Sequence, residues 1–323
     1  MSGKKDTDYL SISSRIRAME LRLLTADRLE RMIDARDDAE ALKVLSECGY
    51  PTDSMPLEQA LNASRTAVME ELAPVAGDPA LVDIFRLKYD YHNAKVLVKA
   101  GTQVQQAQRL LVAGGRYTPD QLLSGLQNCD QNYRQSVEKA AAVLAETGDP
   151  QKADILLDRA YLAELVRLAQ ECGSAFMQGY AKLMVDAANR RACVRCARLD
   201  KDHEFMTDVL VDGGNVKVDQ LLRNWGQGMS NLFRANPLEE AAKLADRLSK
   251  PGSGALTELE RLCDDAIMDY QRKAHRVPFG QEVVAGYLFA KEAELTAART
   301  VMAGRMAGLE ADEIRRRLRR SYV

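Results

Sequence analysis

The chain has 323 residues, of which 46% are apolar and 6% aromatic, and its formal net charge is −2. This length accommodates two or three domains of ordinary size, and the balanced charge argues against a nucleic-acid-binding protein. Six cysteines in a chain of this length do not indicate a disulfide framework, so a reducing, cytoplasmic location is expected.

The amino-terminal residues are polar and lack the apolar core of a secretory signal, and no apolar run reaches the roughly 18 residues of a transmembrane helix. From Leu10 onwards, apolar residues recur every three or four positions, which predicts an amphipathic helix. Similar segments follow along the chain, separated by short breaks that contain glycine or proline. The alternation of apolar and polar residues that is typical of strands is almost absent, so the sequence predicts an all-α protein.

One thirteen-residue segment occurs twice, with a shift of 99 residues. Leu111–Leu123 and Leu210–Leu222 are identical at eight positions and align without a gap. In both copies Gly-Gly is typical of a helix end, because glycine adopts the positive φ that turns the chain. In the first copy, Thr118, Pro119 and Gln121 predict a new helix that opens with a capping box and has proline in its first turn.

Helix-opening signals of the same kind occur near residues 27, 120, 219 and 312. Four such boundaries at intervals of 93 to 99 residues enclose three related segments. We therefore predict three similar helical domains, comprising residues 1–117, 118–217 and 218–323.

A second marker supports this period. Asp90 and Asn93 form an Asp-x-x-Asn pattern within a helical segment, and Asp186 and Asn189 repeat it after 96 residues. The third segment has Glu292 at the corresponding distance after an aromatic residue, but no asparagine follows it. Residues three positions apart share one face of a helix. These side chains either hydrogen-bond a neighbouring helix end within the protein or line a polar central opening, and the sequence leaves both alternatives open.

Other residues with chemical potential form no pattern typical of an active or metal site. Cys193 and Cys196 lie on neighbouring helical turns, and a zinc site would require a second pair at similar spacing. His92, His203 and His275 are scattered, which favours structural roles. The Gly-Gly segments match neither of the common nucleotide-binding patterns. The sequence therefore predicts no catalytic residue, no metal and no cofactor.

The densest charge run lies near residue 318 and contains Arg315, Arg316, Arg319 and Arg320. Basic residues at the carboxyl end of a helix interact favourably with its dipole. The alternative is that this run faces an anionic membrane or an acidic partner.

Two segments resemble one known family. Phe85–Lys95 resembles its F-x-L-K-x-D-x-x-N signature, and Pro278–Glu294 resembles its carboxyl-terminal segment. Arg299 and the final Tyr322 and Val323 agree with this resemblance. The family is the C subunit of bacterial and archaeal V/A-type rotary ATPases, which is similar to the d subunit of the eukaryotic vacuolar enzyme. The arginine- and cysteine-rich residues 190–198 depart from the family pattern.

The resemblance implies a pseudo-threefold funnel of three helical domains. It implies a non-catalytic central-stalk component, peripheral at the cytoplasmic face of the membrane and monomeric within a larger hetero-complex. Its partners would be the shaft subunits of the soluble motor and the proteolipid ring, in a proton- or sodium-translocating ATPase or ATP synthase. The alternatives are a soluble helical-repeat scaffold that binds proteins and an enzyme or metal protein that uses Cys193, Cys196 and His92.

Overall fold

The computed structural model describes residues 6–250 and 254–322, and this part of the chain contains α-helices and short 3-10 helices but no strand. The prediction of an all-α fold is therefore confirmed. The 3-10 helices are Asp6–Tyr9, Gly101–Gln103, Gln108–Leu110, Ser230–Phe233 and Arg272–Arg276. The α-helices are α1 (Leu10–Glu20), α2 (Ala26–Ile33), α3 (Asp38–Glu47), α4 (Leu57–Leu72), α5 (Pro79–Ala100), α6 (Pro119–Ser124), α7 (Gln131–Thr147), α8 (Pro150–Glu171), α9 (Ala175–Arg198), α10 (His203–Val209), α11 (Val218–Arg223), α12 (Glu239–Leu248), α13 (Thr257–Gln271), α14 (Gln281–Met306) and α15 (Ala311–Arg317).

Helix starts follow the signals in the sequence. At the start of α6 the Gln121 amide donates to the Thr118 hydroxyl at 3.2 Å, and the Thr118 amide donates to the Gln121 side chain at 2.9 Å. With Pro119 as the first helical residue, this is the predicted capping box. Helices also begin at residues 26, 218 and 311, so all four predicted helix openings are confirmed.

Contacts between residues in space divide the chain into two compact units. Unit 1 combines residues 1–82 with residues 268–323, and unit 2 comprises residues 83–267. The division into three repeat domains with boundaries after residues 117 and 217 stays a prediction.

Unit 2 is built around α8 and α9. Helix α8 packs against α7 on one side and against α9 on the other, and α12 and α10 also pack against α9. The buried face of α9 includes apolar side chains such as Met177 and Leu183, but also Asp186, Asn189 and Arg190. A helix with three buried polar side chains requires partners for each of them, because an unpaired buried polar group costs roughly 1–3 kcal/mol.

Unit 1 is built around α14, which packs against α1, α2, α3, α4 and α15. This helix is buried on most of its surface, so its sequence is apolar nearly all round. Its carboxyl-terminal half contributes Leu295, Ala298, Val301 and Met302 to an apolar core shared with α2 and α3. Among the described residues, none of the helices is both long enough and apolar enough to cross a bilayer.

Candidate functional site

Two asparagines hold loop backbone in the same way. On α5, the Asn93 amide nitrogen donates to the Val112 carbonyl at 2.9 Å, and the Val112 amide donates to the Asn93 side-chain oxygen at 2.9 Å. On α9, Asn189 makes the same pair of bonds to Val211, at 2.8 and 2.9 Å. Both asparagines are buried. Each therefore satisfies the donor and the acceptor of one loop residue, which an apolar side chain cannot do.

Two aspartates, one turn earlier, hold the same loops after the Gly-Gly pair. Asp90 accepts the Arg116 amide at 2.8 Å, and Asp186 accepts the Val216 amide at 3.1 Å. Asp186 also accepts the Asn215 and Asn236 side-chain amides, at 2.8 and 3.0 Å. We call each Asp–Asn pair with its loop a clamp; the first clamp is on α5 and the second on α9.

The two glycines of each loop have different roles. Gly114 and Gly213 have φ values of +98° and +108°, which a side chain would strain. Gly115 and Gly214 allow close approach instead, because an added Cβ would lie 2.3 Å from an oxygen of Asp90 and 2.2 Å from an oxygen of Asp186. The sequence predicted a turn at both pairs, and the structure adds that the second glycine leaves room for the aspartate.

A related arrangement occurs on α14 in unit 1. Glu294 accepts the Leu24 amide at 2.5 Å, and Lys291 forms an ion pair with Glu294 at 2.9 Å and donates to the Tyr50 hydroxyl at 3.0 Å. Leu24 directly precedes Thr25, the N-cap of α2, whereas Val112 and Val211 lie farther ahead of α6 and α11, before the Gly-Gly pair. We call these residues the third clamp. The sequence singled out Glu292, which is half-buried, whereas Glu294 is the residue that accepts the Leu24 amide.

The first clamp contains a buried charge network that the sequence did not indicate. The Arg116 guanidinium binds Asp90 at 2.6 Å and Glu164 of α8 at 2.7 Å. The Tyr91 hydroxyl donates to Glu164 at 2.8 Å, and the Tyr133 hydroxyl donates to the Asp90 carbonyl at 2.9 Å. The bonds of Arg116 and Tyr91 connect α5 and its loop to α8 through charged groups, which form stronger hydrogen bonds than neutral ones, and the neutral bond of Tyr133 adds α7.

Burial acts on every acidic group of the clamps. It raises the pKa of Asp90 to about 6, although the nearby Arg116 guanidinium acts in the opposite direction. Burial likewise raises the pKa of Asp186, which its amide donors oppose, and the pKa of Glu294, which Lys291 opposes. The clamps therefore combine a desolvation penalty with several donors that offset it.

The residues considered for metal or redox chemistry are placed as follows. Cys193 and Cys196 are buried on α9 as free thiols, and burial raises the pKa of the Cys193 thiol to about 12. The Nε2 atom of His92 lies 3.2 Å from the Leu110 carbonyl, next to the loop of the first clamp. In the part of the chain that the structure describes, no group of three or more His, Cys, Asp or Glu residues is arranged to hold a metal ion.

The arginine run at the carboxyl end divides into paired and outward-facing residues. Arg315 pairs with Glu30 at 2.9 Å, Asp34 at 2.7 Å and Asp312 at 3.0 Å, and thereby connects α15 to α2. The other three lie at the end of α15 or beyond it: Arg316 is exposed, Arg319 contacts the Arg317 carbonyl at 3.4 Å, and the exposed Arg320 pairs with Asp269 at 2.7 Å.

Comparison with known proteins gives consistent matches over almost the whole chain. The C subunit of the V-type sodium ATPase of Enterococcus hirae is 23% identical over 326 residues, covering 98% of this chain and 99% of that protein. The C subunit of the A-type ATP synthase of Haloquadratum walsbyi is 23% identical, covering 94% of this chain and 96% of that protein. The C subunit of the V-type ATP synthase of Thermus thermophilus is 23% identical, covering 93% of this chain and 94% of that protein.

A profile of the family described as ATP synthase (C/AC39) subunit matches residues 12–317. This range includes all three clamps and both segments that carry the resemblance in the sequence. The chain therefore belongs to the ATP synthase (C/AC39) subunit family, to which the C subunits of V-type and A-type ATPases also belong.

Proposed function

We propose that this chain is a non-catalytic central-stalk component that couples the rotor shaft of a V/A-type ATPase or ATP synthase to its proteolipid ring. The observation that carries the proposal is the clamp, which recurs on three long buried helices of a chain that belongs to this family. In each case a buried polar side chain fixes a loop that leads into another helix, which is α6, α11 or α2.

The physical basis of the proposal is stiffness. A coupling protein transmits torque without dissipating it in loop motion, and loops are normally the most mobile parts of a helical protein. Hydrogen bonds from loop amides to Asn93, Asn189 and Glu294 restrict this motion at the junctions between helices. Densely packed helices then transmit strain, because protein interiors have low compressibility.

The proposal includes three similar lobes that form a pseudo-threefold funnel, with the shaft held inside it and the ring beneath. It also includes a peripheral position at the cytoplasmic face of the membrane. A stable union with the ring requires an interface above about 1,000 Å². Arg316 and Arg320, which are exposed near the end of α15, are proposed to belong to the surface that faces the membrane or a partner.

The test is a binding experiment with two purified partners from the same organism. The tagged chain is incubated with the detergent-solubilised proteolipid ring, with the central-stalk subunits, and with both together. We expect a complex with each partner and a ternary complex that elutes as one species in size-exclusion chromatography. The chain alone is expected to show no ATP hydrolysis.

A pair of variants makes the test specific. Arg316→Glu with Arg320→Glu reverses charge on the proposed surface, whereas Arg36→Glu with Arg223→Glu reverses charge at two other exposed positions. Ring or stalk binding that is weakened by the first pair and retained by the second supports the proposed surface. A folded chain that binds neither the ring nor the stalk would refute the coupling function and favour a free helical scaffold.

A further inference from the structure

A cavity of about 660 Å³ in unit 2 lies outside the clamps. It lies at the carboxyl end of α9, beside α12 and the loop that follows α11. Four of its lining side chains are cationic, Arg190, Lys201, Arg247 and Lys250, against two carboxylates, Asp200 and Asp246. Its volume falls within the range of small-molecule sites, and its charge surplus favours an anion.

One of these cations lies deep in the protein and is incompletely bonded. Arg190 is 1% exposed, pairs with Asp246 and donates to the Ala242 carbonyl at 3.1 Å. Among the described residues its Nε atom is buried without a hydrogen-bond partner. Burial lowers the pKa of Arg190, which Asp246 only partly opposes. Because this atom has almost no accessible surface, a ligand in the cavity cannot bond to it directly, and the more accessible cations of the lining must supply the contacts.

Asp246 does not neutralise the rest of the cavity, because its oxygens are already engaged. They accept the Met229 amide at 2.9 Å and the Ser230 amide at 2.8 Å, in addition to the bond from Arg190. Asp246 and Arg190 therefore compensate each other. Lys201 and Arg247 then stand against the single carboxylate of Asp200.

The loop that forms the other wall is shaped by two glycines. Gly226 and Gly228 have φ values of +79° and +87°, and both are exposed. The Gln227 amide of this loop donates to the Asn224 carbonyl, and the Met229 and Ser230 amides donate to Asp246, so the loop shapes the wall of the cavity while these amides are already bonded. The neighbouring Trp225, the only tryptophan of the chain, also lines the cavity.

We propose that this cavity binds a phosphate-bearing anion, held by Lys201 and Arg247. The phosphate group belongs either to a free phosphate in solution or to the headgroup of an acidic phospholipid. The two sources share the recognition chemistry of a phosphate oxygen surrounded by cationic donors.

The sole tryptophan gives a direct assay on the full-length chain. Its fluorescence is followed while sodium phosphate is added at constant ionic strength, with sodium chloride as the matched salt. Vesicles of phosphatidylcholine with and without phosphatidic acid form the second arm. Isothermal titration calorimetry under the same conditions detects binding that leaves the fluorescence of Trp225 unchanged.

Three variants determine where binding occurs. Arg247→Gln and Lys201→Gln each remove one charge from the cavity, and each is expected to weaken phosphate affinity about tenfold, as for a lost hydrogen bond to a charged group. Lys182→Gln removes the same charge from an exposed position of α9 and is expected to have no effect. Circular dichroism verifies that all three variants fold.

Each outcome decides the proposal. Saturable binding of phosphate that Arg247→Gln weakens and Lys182→Gln retains supports a soluble anion. Binding only to vesicles with phosphatidic acid, with the same dependence on Arg247, supports the lipid headgroup. Absence of binding in both arms by both methods, or equal affinity in all three variants and the unsubstituted chain, overturns the proposal.

Discussion

The substitution Asn189→Ala tests the second clamp most directly. It removes one donor and one acceptor and leaves the amide and the carbonyl of Val211 without their partner. Asn189 and Val211 are 2% and 7% exposed, so water replaces these bonds poorly. Each buried group left unpaired costs about 1–3 kcal/mol, and the two together predict a loss of about 2–6 kcal/mol in the free energy of unfolding. For a unit of this size, the expected decrease in melting temperature is about 4–24 °C.

Calorimetry measures this decrease, and hydrogen exchange localises it to the Val211 amide, which should lose protection. Asn93→Ala is the matched variant in the first clamp and should act in the same direction but less strongly, since its bonds to Val112 have almost the same lengths but Val112 is only half-buried. Asn132→Ala, at an exposed position of α7, is the control. An unchanged melting temperature with a protected Val211 amide would refute this reasoning. If partner binding were lost at the same time, the side chain would belong to a polar opening instead.

Three further predictions concern other parts of the same structure. Gly214→Ala should destabilise unit 2 more than Gly213→Ala does, because its Cβ would lie 2.2 Å from an oxygen of Asp186 and must displace the clamp, whereas a Cβ at Gly213 would be strained and would meet Val166 at 3.0 Å; equal melting temperatures would contradict this. The Asp90 carboxyl should titrate near pH 6 in NMR spectra. Because this folded pKa exceeds the unfolded value of 3.8, the contribution of Asp90 to stability is complete below pH 3.8 and is lost as the pH rises through 6. Asp90→Asn should abolish this pH dependence of stability. The buried Cys193 thiol should react with a thiol reagent only at the rate of unfolding, whereas rapid labelling of the folded chain would show that it is accessible.

Much of the secondary structure was predictable because local signals determine it. The capping box at Thr118 and the positive φ of Gly114 depend on residues within a few positions of each other, so both follow from the sequence. The Asp-x-x-Asn pattern on α5 and α9 was also visible, because repetition distinguishes a meaningful spacing from chance. The partners of these side chains could be predicted less directly, since the loop residues lie 19 to 30 positions away and Asn236 lies 50 positions from Asp186.

The charge network and the third clamp were not predictable in this way. Arg116 meets Glu164 across 48 residues of sequence; Arg116 lies in the repeated segment, but the second copy has Asn215 at that position, and Glu164 lies outside the segment. In the third clamp the loop partner of Glu294, Leu24, lies 270 residues away. Lys291 and Glu294 keep the spacing of three positions between the two polar residues but change both residue types. A pattern defined by aspartate and asparagine therefore misses this pair and favours Glu292, whereas a pattern defined by spacing alone includes it.

The third clamp has a consequence for the order in which the chain folds. Unit 2 is continuous in sequence, whereas unit 1 requires residues 268–322 to meet residues that are synthesised long before them. In an unfolded chain, closing the 270-residue loop between Leu24 and Glu294 costs about 2 kcal/mol more entropy than closing the 19-residue loop between Asn93 and Val112. Unit 2 can therefore form while the chain still emerges from the ribosome, and its compactness shortens the distance that the last segment must cover. Until that segment arrives, the apolar faces of α2 and α3 remain uncovered, and this is the interval in which the protein is most vulnerable to aggregation.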